Sequence, residues 1–158
     1  MTWDPTETLA LGATSCMSAD RTREFLDTNL LVYAHDISAG AKRTRALDLL
    51  ARLVSDRIGA VSVQVLQEFF VTVTSKVPGR LSAGEAAVIV ADLTTLPTHA
   101  PSGSDVLAAI QMHQELQVSF WDAMVIRSAS QLGCSILWSE DLTSGRIYEG
   151  VEVRNPFQ

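Results

Sequence analysis

The chain reads as a single α/β domain, three layers of α/β/α built on a mainly parallel sheet of four or five strands. Three observations predict this. Short apolar runs alternate along the chain with longer segments of helical period, the pattern of strand–helix–strand units. A length of 158 residues fits one domain with a sizeable core. A composition of 47% hydrophobic and 19% charged residues is globular, too apolar for disorder and too interrupted by charge for a membrane span. No internal repeat, low-complexity tract or linker divides the sequence.

The elements follow in order. Glu24-Phe25-Leu26 reads as a short strand ending at Asp27-Thr28-Asn29, residues that favour turns and helix caps. Leu30 to Ala34 then reads as a short apolar helix. From Ala41 to Arg57, Ala46, Leu47, Leu50, Leu53 and Val54 recur at helical spacing, while Lys42, Arg43, Arg45, Asp48 and Arg52 occupy the other face. Ile58 to Val61 is a second strand, and Ser62 caps a helix from Val63 to about Lys76 that Pro78-Gly79 ends. Ser82 and Glu85 make a capping-box pattern for a helix to about Leu93. A third short strand lies near Thr98-His99-Ala100. Ser102 or Ser104 caps a helix to about Leu116, and Ser119 opens the next, to Leu132. Ser135 to Trp138 is an apolar strand followed by the polar turn Ser139-Glu140-Asp141, and Val151-Glu152-Val153 is the last strand. Such a parallel sheet is covered by helices on both faces.

Residues 1–20 show no clear period and are expected to be a poorly ordered extension to a domain spanning 21–158. Asp4 and Glu7 stand where a signal peptide needs positive charge, and Met17 is an alternative start. A chain beginning at Met17 is expected to fold and keep its activity. Cys16 and Cys134 are too few and too far apart for a disulfide or metal framework. Cys134 is expected to be a small buried hydrophobe, and a reducing cytoplasm is the simplest compartment.

Two acids follow strands, and in such a sheet ligands bind beyond the carboxyl ends of the strands. Asp27 follows the first strand, and Asp141 follows the Ser135–Trp138 strand. Two further acids, Glu68 and Asp122, stand in apolar helical surroundings, Val65-Leu66-Gln67-Glu68-Phe69-Phe70 and Phe120-Trp121-Asp122-Ala123-Met124. Each has a plain structural reading. Asp27 can cap a helix, Asp122 can form a capping box with Ser119, Glu68 can face solvent and Asp141 can serve the turn. The four together, in this order, favour a shared site.

The blocks Phe25-Leu26-Asp27-Thr28-Asn29-Leu30, Ser62 to Phe69, Phe120-Trp121-Asp122-Ala123 and Ser139-Glu140-Asp141-Leu142 resemble the PIN-domain family, especially the VapC-type toxins of toxin–antitoxin pairs. The resemblance covers about residues 23–157. It implies a metal-dependent endoribonuclease with acids at Asp27, Glu68, Asp122 and Asp141, supported by Thr28, Asn29 and Ser139. Which of Glu140 and Asp141 points inward stays open at this level. The resemblance also implies an RNA substrate, a cognate antitoxin and a homodimer.

Two carboxylates about 4 Å apart repel by roughly 4 kcal/mol at an effective dielectric near 20, so four cannot stay ionised together without protons or cations. Hard oxygen ligands suit Mg²⁺, with Mn²⁺ as a substitute, rather than zinc. Asp27 and Asp122 are assigned as the primary metal ligands. Glu68 and Asp141 would hold waters around the ion or orient the nucleophile. The net charge of −6 votes against nucleic acid. Counting four acids as metal ligands moves that balance to about −2.

A non-cutting binding module and a DNA nuclease are the rival functions. His35, His99 and His113 show no ligand spacing, Cys16 has no paired histidine, and no glycine-rich phosphate loop is present. Lys42-Arg43-Thr44-Arg45 reads equally as an RNA contact or as a solvated helix face. Phe69, Phe70, Phe120 and Trp121 read as core or interface rather than base-stacking platforms.

Overall fold

The computed structural model describes residues 22–158; the calls on the N-terminal stretch and on Cys16 lie outside them. Twelve elements run in the order β1 (Arg23–Leu26), α1 (Thr28–His35), α2 (Ala41–Ser55), β2 (Gly59–Ser62), α3 (Val63–Ser75), α4 (Ala83–Leu93), β3 (Thr98–His99), α5 (Gly103–Leu116), α6 (Phe120–Gln131), β4 (Cys134–Trp138), β5 (Ile147–Tyr148) and β6 (Val151–Arg154). The expected alternation holds, with boundaries shifted by a residue or two.

The sheet order is β3-β2-β1-β4-β6-β5, parallel throughout except for β5 against β6. Helix α6 packs across β2, β4 and β6 with α5 beside it, while α1, α2, α3 and α4 pack on one another and reach β2. The sheet has six strands where four or five were expected. The extra one is the two-residue β5, too short to carry a period. Its trace in the sequence is the pair Glu149-Gly150, both at positive φ (47° and 83°), which turns the chain between Tyr148 and Val151. Two-residue hairpin turns need this backbone, and glycine adopts it without steric cost.

Phe25, Leu26, Leu30, Leu31, Val61, Phe69, Ile126 and Leu137 are all fully buried. Each contributes roughly 1.5–3 kcal/mol by leaving water. Cys134 is buried among them as expected, and that burial pushes its thiol up to about 12. No described helix is long and apolar enough to cross a membrane.

Sequence-consecutive strands β1, β2 and β3 step outward in one direction, and β4 begins the other half on the far side of β1. The order therefore reverses between β1 and β4. At such a reversal the loops leaving the two strands diverge and open a crevice at their carboxyl ends. In register, Leu26 lies beside Trp138, so the next residues, Asp27 and Ser139, meet at that crevice.

Candidate active site

Asp27 ends β1 and caps α1, accepting a hydrogen bond from the Thr28 amide (2.7 Å). Its other oxygen accepts from the Ser139 hydroxyl at 2.6 Å, and its own amide donates to the Trp138 carbonyl at 3.1 Å. The carboxyl is 7% exposed. Burial is the main influence and pushes its pKa up to about 6. The Ser139 and Thr28 hydrogen bonds pull it down, and the charges of Asp141 and Asp122 push it up again. Asp27 thus feels two of the three other acids of the crevice.

Ser139, fully buried, also accepts from the Asp141 amide at 3.2 Å, and Asn29 donates to the Asp141 carboxylate at 3.1 Å. Thr28 donates to Glu68 at 2.8 Å, and Gln64 holds the other Glu68 oxygen at 2.9 Å. Asp27, Thr28, Asn29, Glu68, Ser139 and Asp141 therefore form one connected polar network at the strand ends.

Asp122 joins through space rather than through that network. It lies in the first turn of α6, accepts from the Ser119 hydroxyl at 2.6 Å, and shares a cavity of about 250 Å³ with Asp141. All four predicted acids are thus placed around one crevice, with Glu68 on the α3 side and Asp122 on the α6 side.

Of the adjacent pair, Asp141 faces Asn29. Glu140 turns away to accept from Tyr33 (2.7 Å) and to pair with Lys42. Lys42 also lies over the rings of Tyr33 and Phe157, at 4.7 and 5.4 Å. Its ammonium is thus committed to contacts within the domain. Phe69 is core, but Trp121 is 62% exposed beside Asp122. The three histidines bond elsewhere, His35 to Leu31, His99 to Ser128 and His113 to Val118.

Sequence reasoning passed over Gln64. It is buried, and it ties Glu68 to the Trp121 carbonyl (3.4 Å), bridging α3 to the first turn of α6. A glutamine one helical turn before the acid was the available signal.

None of Asp27, Glu68, Asp122 and Asp141 forms an ion pair with a lysine or arginine among the described residues. Their donor set is hard oxygen throughout. The buried side-chain oxygens of Asn29 and Gln64 also have no partner among the described residues. Among the described residues no group of three or more His, Cys, Asp or Glu side chains stands close enough together to hold a metal ion by itself. A divalent ion here would have to be held through one or two carboxylates and keep several of its waters. A larger cleft of about 450 Å³, lined by His35, Leu50, Val54, Ile89, Asp92 and Leu96 among others, contains none of the four acids.

No curated protein sequence matches the chain. Among solved structures it is similar to VapC20 of Mycobacterium tuberculosis, a sarcin-ricin loop cleaving toxin. The TM-score is 0.57 at 18% identity, and the match covers 74% of this chain and 88% of that one. A family model for the PIN domain matches residues 25–149, a span running from β1 through β5 and containing all four acids. The chain belongs to the PIN domain family.

Proposed function

We propose that this chain is a divalent-metal-dependent endoribonuclease and the toxin of a toxin–antitoxin pair. The observation that carries the reading is a buried aspartate, at the point where the strand order reverses, facing two further carboxylates with no lysine or arginine paired to them among the described residues. A fold does not keep such a charge for stability; it keeps it to bind.

In this reading Asp27 and Asp122 hold Mg²⁺, or Mn²⁺ in its place. When bound, the ion would neutralise the carboxylates, polarise a phosphate oxygen and lower the pKa of a water. The protein does the rest. Ser139 and the Thr28 amide fix both Asp27 oxygens, so that carboxylate cannot rotate away from the ion. Asn29 orients Asp141, and Thr28 with Gln64 orients Glu68. Asp141 or Glu68 would then hold water in line with the scissile phosphorus and accept its proton, and one ester P–O bond breaks as the new one forms, the leaving oxygen taking a proton from solvent.

The likeness of fold to a toxin that cleaves the sarcin-ricin loop supports RNA as substrate and an antitoxin as partner. Exposed apolar side chains, Phe70 and Val71 on α3, Val88 on α4 and Leu107 on α5, offer surface for that partner and for a homodimer. We assign the protein to the cytoplasm on the same grounds.

The test is cleavage of matched RNA and DNA strands with Mg²⁺, Mn²⁺ or EDTA. RNA cleavage that needs the metal supports the proposal. Equal cutting of DNA would make it a general nuclease, and binding without cutting would make it a non-catalytic module.

A further inference from the structure

Two cavities open onto the carboxylates, one on each side of the crevice, and each has one basic residue in its wall. On the α6 side, Arg146 lines the cavity shared by Asp122, Asp141 and Ser119. On the α3 side, Lys76 lines a cavity with Thr28, Gln67 and Glu68. Both side chains belong to exposed residues, and neither forms an ion pair with any described residue.

Four other cations of the domain are paired with carboxylates. Lys42 is committed to Glu140, Arg52 to Glu24, Arg127 to Asp105 and Arg154 to Glu152. Arg146 lines its cavity with Asp122 and Asp141 yet pairs with neither, and Lys76 lines its own with Glu68 and does not pair with it.

Arg146 is also held. Its guanidinium lies over the Tyr148 ring at 5.0 Å, and Tyr148 is only 4% exposed, so the ring is a fixed platform. The backbone is fixed as well. The Arg146 amide donates to the Thr143 carbonyl, and its carbonyl accepts from Val153 across the β5–β6 hairpin. The planar fork of N–H donors is left for an oxyanion, and arginine matches phosphate with two parallel hydrogen bonds.

We infer that Arg146 and Lys76 hold backbone phosphates of a single RNA strand on either side of the scissile bond. The strand crosses the acidic crevice from the α3 side to the α6 side. Arg146 grips one flanking phosphate in bidentate fashion, and Lys76 meets the other as a point charge. This explains how an acidic protein engages a polyanion, because the attraction is confined to the two ends of the crevice. It rests on the ribonuclease reading for the bond that is cut, but the binding it describes stands separately.

The experiment measures a single-stranded RNA two ways, by Mg²⁺-dependent cleavage and by fluorescence anisotropy in EDTA, each across a salt series. The proteins are the wild type, Arg146→Ala, Arg146→Lys, Lys76→Ala and, as a control, Arg80→Ala, at an arginine that lines neither cavity. Loss of one phosphate contact should lower the slope of log affinity against log salt by about 0.7 for single strands. Arg146→Ala should raise KM by about tenfold or more with kcat nearly unchanged, the mark of lost uniform binding. Arg146→Lys should restore the slope but not the full affinity, Lys76→Ala should show a smaller effect of the same kind, and Arg80→Ala should match wild type.

Unchanged KM and slope in Arg146→Ala would overturn the inference. So would a fall in kcat alone, which would place Arg146 in positioning the acids. If the wild type binds RNA without cutting it and Arg146→Ala lowers the slope, the ribonuclease reading fails and the phosphate sites stand. If the wild type does not bind RNA at all, both fail.

Discussion

Asp27 and Asp105 are both aspartates buried at the start of a helix, 7% and 5% exposed, and their chemistry is opposite. Asp105 accepts from the Ser102 amide and hydroxyl, lies 3.0 Å from Arg127 and faces His99. The Ser102 hydrogen bonds, helped by Arg127, hold its carboxyl down at about 2. Asp27 has two hydrogen bonds and two like charges, and burial holds it up at about 6. Where the fold needs a carboxylate it supplies a cation. At the strand-order reversal no described lysine or arginine pairs with the acids, which is the ground for proposing that a metal ion balances them.

The same contrast separates three helix starts that look alike in sequence. Ser82 with Glu85, and Ser102 with Asp105, form full capping boxes, the acid reaching back to the amide of its serine. Ser119 with Asp122 does not. The Asp122 carboxylate takes the serine hydroxyl and leaves the amide alone, turned toward the crevice.

The largest expected effect tests the function of that difference. Asp27→Asn should lower metal-dependent RNA cleavage by roughly 10³-fold or more, the scale for removing a charge-stabilising group from a reaction centre. Asp105→Asn should leave cleavage near wild type. Comparable losses in both variants, measured as kcat/KM on one RNA, would erase the distinction.

Next comes the pH dependence, where the two aspartates have opposite signs. The folded pKa of Asp27 lies above the ordinary 3.8 of an aspartate, so between about 4 and 6 the folded chain holds more protons than the unfolded one. Stability without metal should therefore fall as pH rises through that window, by about 3 kcal/mol for a shift of this size. Asp27→Asn should flatten the fall and be more stable than wild type at neutral pH. A saturating divalent ion should recover the loss in wild type, by about 2.7 kcal/mol at a hundred times its Kd, and should do nothing for the variant. Denaturant unfolding at several pH values, with and without Mg²⁺, measures both. A flat wild-type profile would show that Asp27 is not the strained group.

Asp105 behaves in the other direction. Its folded pKa is depressed, so its contribution is present above about 4 and is lost as pH falls toward 2. Asp105→Asn should cost about 2 kcal/mol at neutral pH by stripping a charged hydrogen bond from Arg127. A chemical melt showing no loss would mean that the pair is idle.

The smallest effect concerns the caps. Ser82→Ala should cost about 1 kcal/mol and leave activity alone. Ser119→Ala should cost a similar amount but also weaken Mg²⁺ binding, because the hydroxyl that orients Asp122 is gone. Equal metal affinity in the two variants, by titration calorimetry, would reduce Ser119 to a cap.

The order of strands and helices was legible in the sequence because it depends on local period and capping, which act over a few residues. Ser62, Ser82, Ser102 and Ser119 each begin a helix as read. The four acids were legible for a related reason: Glu68 and Asp122 interrupt apolar helical faces, and Asp27 and Asp141 stand at strand ends.

What the sequence left open depends on contacts between distant residues. Ser139 reaches Asp27 across 112 positions because the β1–β4 register brings them side by side. That register also decides that Asp141 faces Asn29 while Glu140 pairs with Lys42, a choice between neighbours that no local rule distinguishes. Strand β5 exists only because β6 is there to pair with it. The charge state of Asp27 belongs to the tertiary structure alone, because desolvation and through-space repulsion arise only when the chain has closed around it.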